Sequence, residues 1–136
     1  MKSVVRKQFM LLKGKPVLYY TIDAFLKAYD DCKIILVLPE DHVAAGQEII
    51  DAFFDYNRIQ IAIGGRTRFH SVQNGLQRID EDGIVFVHDA VRCMVSKDLI
   101  QRCYEAVLHY GSAVAVIASK DSVRILTNEG NEALDR

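Results

Sequence analysis

The sequence predicts an α/β fold in which a parallel sheet forms the middle of three layers. Short apolar runs typical of buried strands recur along the chain, and segments with apolar residues at helical spacing lie between them. Strands that alternate with helices in this rhythm favour parallel pairing and right-handed crossovers. The chain has 136 residues and is half apolar, so we expect a single domain with a sizeable core.

The first half of the chain contains the clearest helices and strands. Residues 3–5 allow only a very short strand. A helix is predicted over residues 16–29, where a proline suits the first turn and apolar residues recur at helical spacing. Residues 33–38 predict a buried strand, and the acidic pair at 40–41 suits the N-terminus of the next helix. The residues expected to face inward from that helix are Val43, Ile49, Ile50, Phe53 and Phe54.

Two more strands and a short helix are predicted in the middle of the chain. Residues 58–63 alternate as a strand that ends at a pair of glycines. A short helix then begins near Ser71 and ends before residues 80–83. Residues 84–87 are four consecutive apolar positions, which predict a parallel strand buried on both faces.

The last third of the chain begins with a strong helix signal. Ser96 is a suitable N-cap for a helix that Gly111 ends. Residues 112–118 predict another apolar strand, after which the sequence turns polar. Residues 123–126 predict an exposed arm strand, and residues 128–131 predict its turn.

Charge and cysteine content narrow the classes of function. The formal net charge is −1 with basic residues spread along the chain, which argues against a nucleic-acid groove or a membrane-surface patch. The three cysteines stand far apart without a CxxC pair, which predicts reduced thiols rather than disulfides or a zinc site. No apolar run has the length of a membrane span, and the first residues lack the centre of a signal peptide. We therefore expect a cytoplasmic protein.

The first candidate site is the strand-to-helix junction at residues 64–71 (GGRTRFHS). Paired glycines let the backbone approach a flat or anionic ligand closely, and the following helix N-terminus offers free N–H groups. That combination suits a nucleotide. Glycine-rich turns are common, and an ordinary tight turn with Ser71 as the N-cap is the preferred interpretation of this segment by itself.

The second candidate site is residues 88–92 (HDAVR), directly after the predicted strand at 84–87. The carboxyl end of a parallel strand lies at the ligand-binding edge of an open α/β sheet. There the Asp89 carboxylate suits a metal ion or a sugar hydroxyl, and the planar guanidinium of Arg92 suits a phosphate. A structural salt bridge between the two is an equally good interpretation. His88, flanked by apolar residues, is expected to be a buried and hydrogen-bonded histidine rather than a catalyst.

Four stretches of the chain resemble the 2-C-methyl-D-erythritol 4-phosphate cytidylyltransferases of the non-mevalonate isoprenoid pathway. They are RKQFMLLKGKPVLYYTIDAF, GGRTRFHSVQNGL, VFVHDAVRCMVS and the closing DSVRI with NEALDR, in the family's order and spacing. The resemblance implies a Rossmann-like nucleotidyltransferase fold with a protruding β-arm. It also implies a homodimer that transfers a cytidylyl group from CTP to methylerythritol phosphate, releases pyrophosphate, and uses Mg²⁺ or another divalent cation.

The resemblance carries roles to individual residues on the nucleotide side. Lys7 of the KQF motif is similar to the lysine that stabilises the pentavalent transition state. Gly65, Arg66 and Ser71 fall where the family contacts the cytosine, although Arg66 replaces a more usual acidic or small residue.

Other matching positions concern the ribose, the metal and the second substrate. Asp89 matches the residue near all three, and Arg92 matches a substrate contact. Ser122 stands where a threonine is commoner and still offers a hydroxyl. Arg136 matches an arginine that positions the methylerythritol phosphate. In the family this arginine reaches a neighbouring subunit's site from a dimerising arm, here residues 120–136.

The chain departs from the family's pattern at two places. Members carry a glycine-rich phosphate loop between the first strand and the KQ lysine, whereas Val5 runs straight into Arg6. Members also continue well past the position of Arg136. We therefore expect little or no activity from a polypeptide of these residues alone.

Two alternative functions stay open. Ribitol 5-phosphate cytidylyltransferase shares the fold, the lysine and a similar HDxVR segment, and Val91 in place of a second alanine favours it slightly. The SVQNGL stretch and the terminal Asp135 and Arg136 favour methylerythritol phosphate. The other alternative is a non-catalytic nucleotide-binding or structural α/β module.

Overall fold

The computed structural model describes residues 6–118, 124–127 and 130–133. Short 3₁₀ turns precede three of its helices and strands. In chain order these are β1 (Leu11–Leu12), β2 (Lys15–Pro16), α1 (Val17–Ala28), β3 (Ile34–Leu38), α2 (Val43–Phe53), β4 (Ile59–Ile63), α3 (Arg68–Leu76), α4 (Lys97–Tyr110), β5 (Arg124–Thr127) and β6 (Gly130–Ala133). Within these ranges no helix is both long enough and apolar enough to cross a membrane.

The parallel pair of β3 and β4 carries helices on both faces. The two strands pair along their whole length. Successive side chains of a strand point to opposite faces, so Val37 and Leu38 of β3 mark the two sides. A methyl group added at Gly46 of α2 would meet Leu38, and one added at Gly75 of α3 would meet Val37. The helices α2 and α3 therefore lie on opposite faces of the sheet, which gives the three expected layers.

The hydrophobic core lies between the sheet, α1 and α2. Its buried members are all aliphatic: Leu18, Ile22, Leu36, Leu38, Ile49, Ile50 and Ile59. Burying one such side chain contributes about 1.5–3 kcal/mol, so this cluster is a major source of stability. Tyr29, directly after α1, lies with its ring 5.1 Å from that of Tyr104, and this contact links the end of α1 to α4.

Several predicted elements are confirmed to within one or two residues. The helix predicted at 16–29 is α1, and the strands predicted at 33–38 and 58–63 are β3 and β4. α4 begins after Ser96, whose hydroxyl accepts the N–H of Leu99 at 3.2 Å. It ends at Gly111, which adopts a left-handed conformation with a φ of 79°.

Two details of the helix predictions are wrong. Thr67, rather than Ser71, is the N-cap of α3, because its hydroxyl accepts the N–H of His70 at 3.3 Å. Ser71 lies one turn into the helix, and its hydroxyl hydrogen-bonds to Gly65 in the preceding loop instead. Phe53 was expected to face inward, but it is the last residue of α2 and is 40% exposed.

The prediction that residues 84–87 form a strand buried on both faces is wrong. They pair with no described strand, and Val85 and Val87 are 48% and 54% exposed. The opposite side of this segment faces α1, and there the ring of Phe86 lies against the ring of Phe25. A strand needs a hydrogen-bonded neighbour, and in a doubly wound sheet the fourth strand lies beside the first. The predicted first strand, residues 3–5, lies outside the described residues.

The strand predicted at residues 112–118 is likewise absent from the described part of the chain. Val114, Val116 and Ile117 are 84%, 85% and 89% exposed. In a doubly wound sheet this segment would pair with the preceding strand. Because residues 84–87 pair with no strand in the described part of the chain, they offer this segment no ladder there.

Two antiparallel hairpins complete the fold. Lys13 and Gly14 join β1 to β2, and both have the positive φ that a tight two-residue hairpin turn requires. The second hairpin, β5–β6, overlaps the arm strand predicted at 123–126 and the turn predicted at 128–131. Residues 123, 128 and 129 lie outside the described residues.

Candidate active site

The first wall of the candidate site is the loop between β4 and α3. The N–H of Gly64 donates to the carbonyl of Leu38 at 2.8 Å, which ties the loop to the end of β3. The Ser71 hydroxyl accepts the N–H of Gly65 at 3.1 Å and donates to the carbonyl of Thr67 at 3.0 Å. The loop is therefore held against the first turn of α3 before any ligand binds.

The paired glycines have a packing reason in this loop. A methyl group at Gly65 would collide with His70, and one at Gly64 would lie 3.0 Å from the Ser71 hydroxyl oxygen. The backbone thus passes too close to α3 for larger residues. The tight-turn interpretation is therefore sufficient for the glycines themselves, and it also places the loop beside the helix N-terminus, where free N–H groups favour anions.

The second wall is the loop of residues 88–92, with Asp89 between two arginines. Asp89 Oδ1 accepts from Nη2 of Arg68 at 3.2 Å, and Asp89 Oδ2 accepts from Nε of Arg92 at 2.9 Å. The Arg68 hydrogen bond, reinforced by the charges of both arginines, holds the pKa of the Asp89 carboxyl below its usual value. Asp89 is therefore an anion at neutral pH.

Contacts from α1 fix this second loop in place. The buried Thr21 hydroxyl donates to the carbonyl of Ala90 at 2.8 Å. The His88 ring lies edge-on to Phe25, and its Nε2 donates to the carbonyl of Arg92 at 3.0 Å. His88 is hydrogen-bonded as expected, but it is exposed rather than buried because residues 84–88 turn only one side to α1.

The structure brings together only some of the residues predicted for the site. Asp89 and Arg92 are in contact, as are Gly65 and Ser71. Arg66 and Lys7 are exposed, and within residues 6–118 neither side chain hydrogen-bonds or ion-pairs with the others. Lys7 lies in the 3₁₀ turn Lys7–Phe9. The remaining two predicted residues, Ser122 and Arg136, lie outside the described residues.

Arg68 is the residue that sequence reasoning missed. It lies within the GGRTRFHS segment, where neither local chemistry nor the family resemblance predicts a role for it. One signal was available: Arg68 is the first residue of α3, where the helix dipole disfavours a cation. A carboxylate from another part of the chain offsets that charge, and Asp89 supplies it across 21 residues of sequence.

The residues of the site could hold a divalent cation only together with oxygen atoms of a bound substrate. Within the described ranges no three His, Cys, Asp or Glu side chains cluster to form a metal site. Asp89 alone offers a carboxylate, and its arginine partners occupy two of the roughly four lone-pair positions of its oxygens. Mg²⁺ is commonly held by one or two carboxylates together with substrate phosphates. Asp89 fits that kind of site.

Comparisons with known proteins agree on one family. A family model described as 2-C-methyl-D-erythritol 4-phosphate cytidylyltransferase matches residues 1–134. A protein of that name from Phocaeicola vulgatus is 42% identical over 132 residues, covering 97% of this chain and 60% of the relative. Another, from Bacteroides fragilis, is 40% identical over 137 residues, covering 100% of this chain and 62% of the relative. The chain thus spans about 60% of the length of the curated relatives it matches.

A solved structure supports the same assignment. The crystal structure of a 4-diphosphocytidyl-2C-methyl-D-erythritolsynthase from Anaerococcus prevotii superposes with a TM-score of 0.82 at 26% identity. The match covers 96% of this chain and 57% of that one. The predicted Rossmann-like α/β nucleotidyltransferase fold is confirmed, and the chain belongs to the 2-C-methyl-D-erythritol 4-phosphate cytidylyltransferase family.

Proposed function

We propose that this chain supplies the nucleotide- and substrate-binding walls of a cytidylyltransferase in isoprenoid precursor biosynthesis. The enzyme would join CTP to 2-C-methyl-D-erythritol 4-phosphate, giving 4-diphosphocytidyl-2-C-methyl-D-erythritol and pyrophosphate. The observation that carries the proposal is an ion pair between two segments in a chain of this family. Arg68, at the end of the glycine loop (residues 64–68), contacts Asp89 of the HDAVR loop (residues 88–92), which also contacts Arg92. The two loops come from separate parts of the sequence and face one another across a single ion-pair cluster.

The proposed chemistry is an in-line attack of the substrate phosphate on the α-phosphorus of CTP. Such a reaction depends on positioning and on neutralising charge that builds up on the phosphates. The exposed Lys7 ammonium is proposed to stabilise the pentavalent transition state. Arg92 uses its Nε on Asp89, which leaves both of its NH₂ groups for the phosphate of the second substrate.

The cytidine is proposed to lie against the glycine loop. Gly65, Arg66 and Ser71 would contact the base, and Asp89 would lie near the ribose and the triphosphate. The bonds between Ser71 and Gly65 support this arrangement, since a loop already ordered loses less entropy when it binds a flat ring. Mg²⁺ or another divalent cation, held by Asp89 together with the phosphates, would neutralise charge on the triphosphate.

The last two predicted site residues, Ser122 and Arg136, are proposed to act within a homodimer. Within the described residues β5 and β6 form a two-stranded antiparallel sheet, and a two-stranded hairpin is only marginally stable by itself. The need of such a hairpin for a further partner supports a homodimer, and we propose a cytoplasmic enzyme in which the arm of residues 120–136 brings Ser122 and Arg136 to the substrate. Sedimentation should give a dimer, and a monomer at micromolar concentration would overturn this part of the proposal.

Nucleotide binding is the first test of the proposed function. We expect CTP with Mg²⁺ to shift the backbone amide resonances of residues 64–71 and 88–92 in this polypeptide, and Asp89→Asn to reduce the shifts strongly. Arg102→Gln, which breaks an exposed ion pair on α4, is the control and should leave them intact. Absence of binding, or shifts confined to other segments, would contradict the proposal and favour a structural module.

Turnover distinguishes the two sugar phosphates. Pyrophosphate release should be measured with CTP plus either methylerythritol phosphate or ribitol 5-phosphate. Faster turnover of ribitol 5-phosphate would favour the alternative that Val91 suggests. A polypeptide of these residues alone is expected to show little or no turnover, and detectable pyrophosphate release from it would contradict that prediction. In a longer form of the protein that carries the phosphate loop, Lys7→Ala should lower kcat by about 10²–10³ without unfolding the protein. Unchanged turnover would remove Lys7 from the mechanism.

A further inference from the structure

Arg68 makes the ion pair that joins the two walls of the site. Arg92 also contacts Asp89, but it lies only three residues away in the same loop. Arg68 lies on α3, 21 residues from Asp89 in sequence, and its Nη2 reaches Oδ1 at 3.2 Å. Of these two contacts, only the Arg68 contact fixes one loop relative to the other.

Each loop also has anchoring contacts of its own, apart from the Arg68 contact. The start of α3 is set by the Thr67 cap and by the Ser71 bonds to the glycine loop. The Asp89 loop is set by the bond from Thr21 to Ala90. The Arg68 guanidinium therefore connects two ordered units through Oδ1 of Asp89, while Arg92 holds Oδ2 of the same carboxylate.

Stability alone does not account for this contact. The Arg68 and Asp89 side chains are 70% and 37% exposed. Exposed ion pairs contribute only about 0–1 kcal/mol to folding. The N–H groups of a guanidinium donate in fixed directions in one plane, so this contact constrains the direction of the Asp89 oxygen that accepts it.

We propose that Arg68 is a positioning residue of the site, which acts through Asp89 by fixing the orientation of its carboxylate and the separation of the two loops. This inference rests on the proposed function for its consequence in CTP binding. The contact itself is a property of the chain and can be tested without nucleotide.

The test is a double-mutant cycle on CTP affinity in the presence of Mg²⁺. We expect Arg68→Gln to weaken binding by about tenfold, the lower end of effects seen for groups that orient a ligating side chain. Arg68→Lys should recover part of the loss. In an Asp89→Asn background, Arg68→Gln should cause almost no further loss of CTP affinity, because the carboxylate that Arg68 orients is already absent.

Arg102→Gln is the matched control, since Arg102 forms a similarly exposed pair with Asp98 at 3.0 Å on α4. It should leave CTP affinity unchanged. An Arg68→Gln loss that persists in the Asp89→Asn background would mean direct contact with the nucleotide, and no loss at all would mean a surface ion pair only. Either result overturns the proposal.

A second measurement separates this inference from the proposed function. Amide ¹⁵N relaxation without nucleotide should show greater mobility of Asp89 and Ala90 in Arg68→Gln and none in Arg102→Gln. If the parent chain fails to bind CTP, the proposed function fails, and this measurement still decides whether Arg68 positions Asp89. Unchanged relaxation at both residues would overturn the inference.

Discussion

The buried hydroxyl of Thr21 donates to the carbonyl of Ala90 at 2.8 Å and thereby ties the first helix to the loop that carries Asp89. Thr21 is only 6% exposed, so water cannot replace this bond readily. Thr21→Val keeps the shape but leaves the Ala90 carbonyl without its donor. We expect a loss of about 1–3 kcal/mol in the free energy of unfolding, measured by urea denaturation.

Thr21→Ser is the control for this prediction, because it keeps the hydroxyl and removes one methyl group. It should cost about 1 kcal/mol for the lost methyl group and should preserve the amide resonances of residues 88–92. Equal displacement of those resonances in both variants would show that the methyl group, rather than the hydrogen bond, holds the loop.

Gly65→Ala should disturb the glycine loop because the added methyl group collides with His70 at the start of α3. The collision involves the Cβ and backbone of His70, which cannot rotate away, so the loop or the helix must shift. Overpacking of this kind typically costs about 1–3 kcal/mol. Thermal unfolding and the amide resonances of residues 64–71 measure the effect.

The matched control is Gly83→Ala, where nothing lies within 4 Å of the added methyl group and no left-handed conformation is required. It should be neutral or stabilise by up to about 1 kcal/mol through reduced freedom of the unfolded chain. Similar losses in both variants would refute the packing explanation for Gly65.

The Arg58 guanidinium donates to three backbone carbonyls at and just beyond the C-terminal end of α1. These are the carbonyls of Cys32 at 3.0 Å, Leu26 at 3.2 Å and Tyr29 at 2.6 Å. Two of these carbonyls lie at the C-terminal end of the helix, where a cation is favourable. Arg58→Met keeps the apolar stem and removes every donor. We expect about 2–3 kcal/mol of destabilisation in urea, since hydrogen bonds from charged groups are stronger than neutral ones.

Arg78→Met serves as the control for Arg58, because Arg78 is exposed just after α3. It should change the unfolding free energy by less than about 0.5 kcal/mol. A loss at position 58 no larger than this would mean that water satisfies the three carbonyls equally well.

Local sequence patterns predicted the parts of this fold that depend on local chemistry. α1 and α4 follow from helical spacing and from the caps Ser96 and Gly111, and β3 follows from an apolar run. Residues 84–87 were mispredicted because a strand exists only where another strand pairs with it. An apolar run cannot report whether that neighbour is present.

The same limit applies to the candidate site. Asp89 and Arg92 could be singled out because they follow an apolar segment within one short motif. The contacts that organise them are distant in sequence: Arg68 lies 21 residues from Asp89, and Thr21 lies 69 residues from Ala90. Such pairs carry no local signature, although the cation at the first position of α3 hinted at an external partner.

The Asp89 cluster should give the protein a small acid-sensitive contribution to stability. The Arg68 hydrogen bond, followed by the charges of both arginines, lowers the pKa of Asp89 relative to the unfolded chain. A lowered carboxyl pKa means that the stabilisation is present above about pH 4 and is lost as the pH falls through the folded pKa.

Asp89→Asn should therefore cost less than about 1 kcal/mol at pH 7, because the pair is exposed. The gap between parent and variant, measured by urea unfolding from pH 7 to pH 3, should close on acidification and shrink in high salt. A gap that widened in acid would show that burial of the carboxyl, rather than its arginine partners, controls its ionisation.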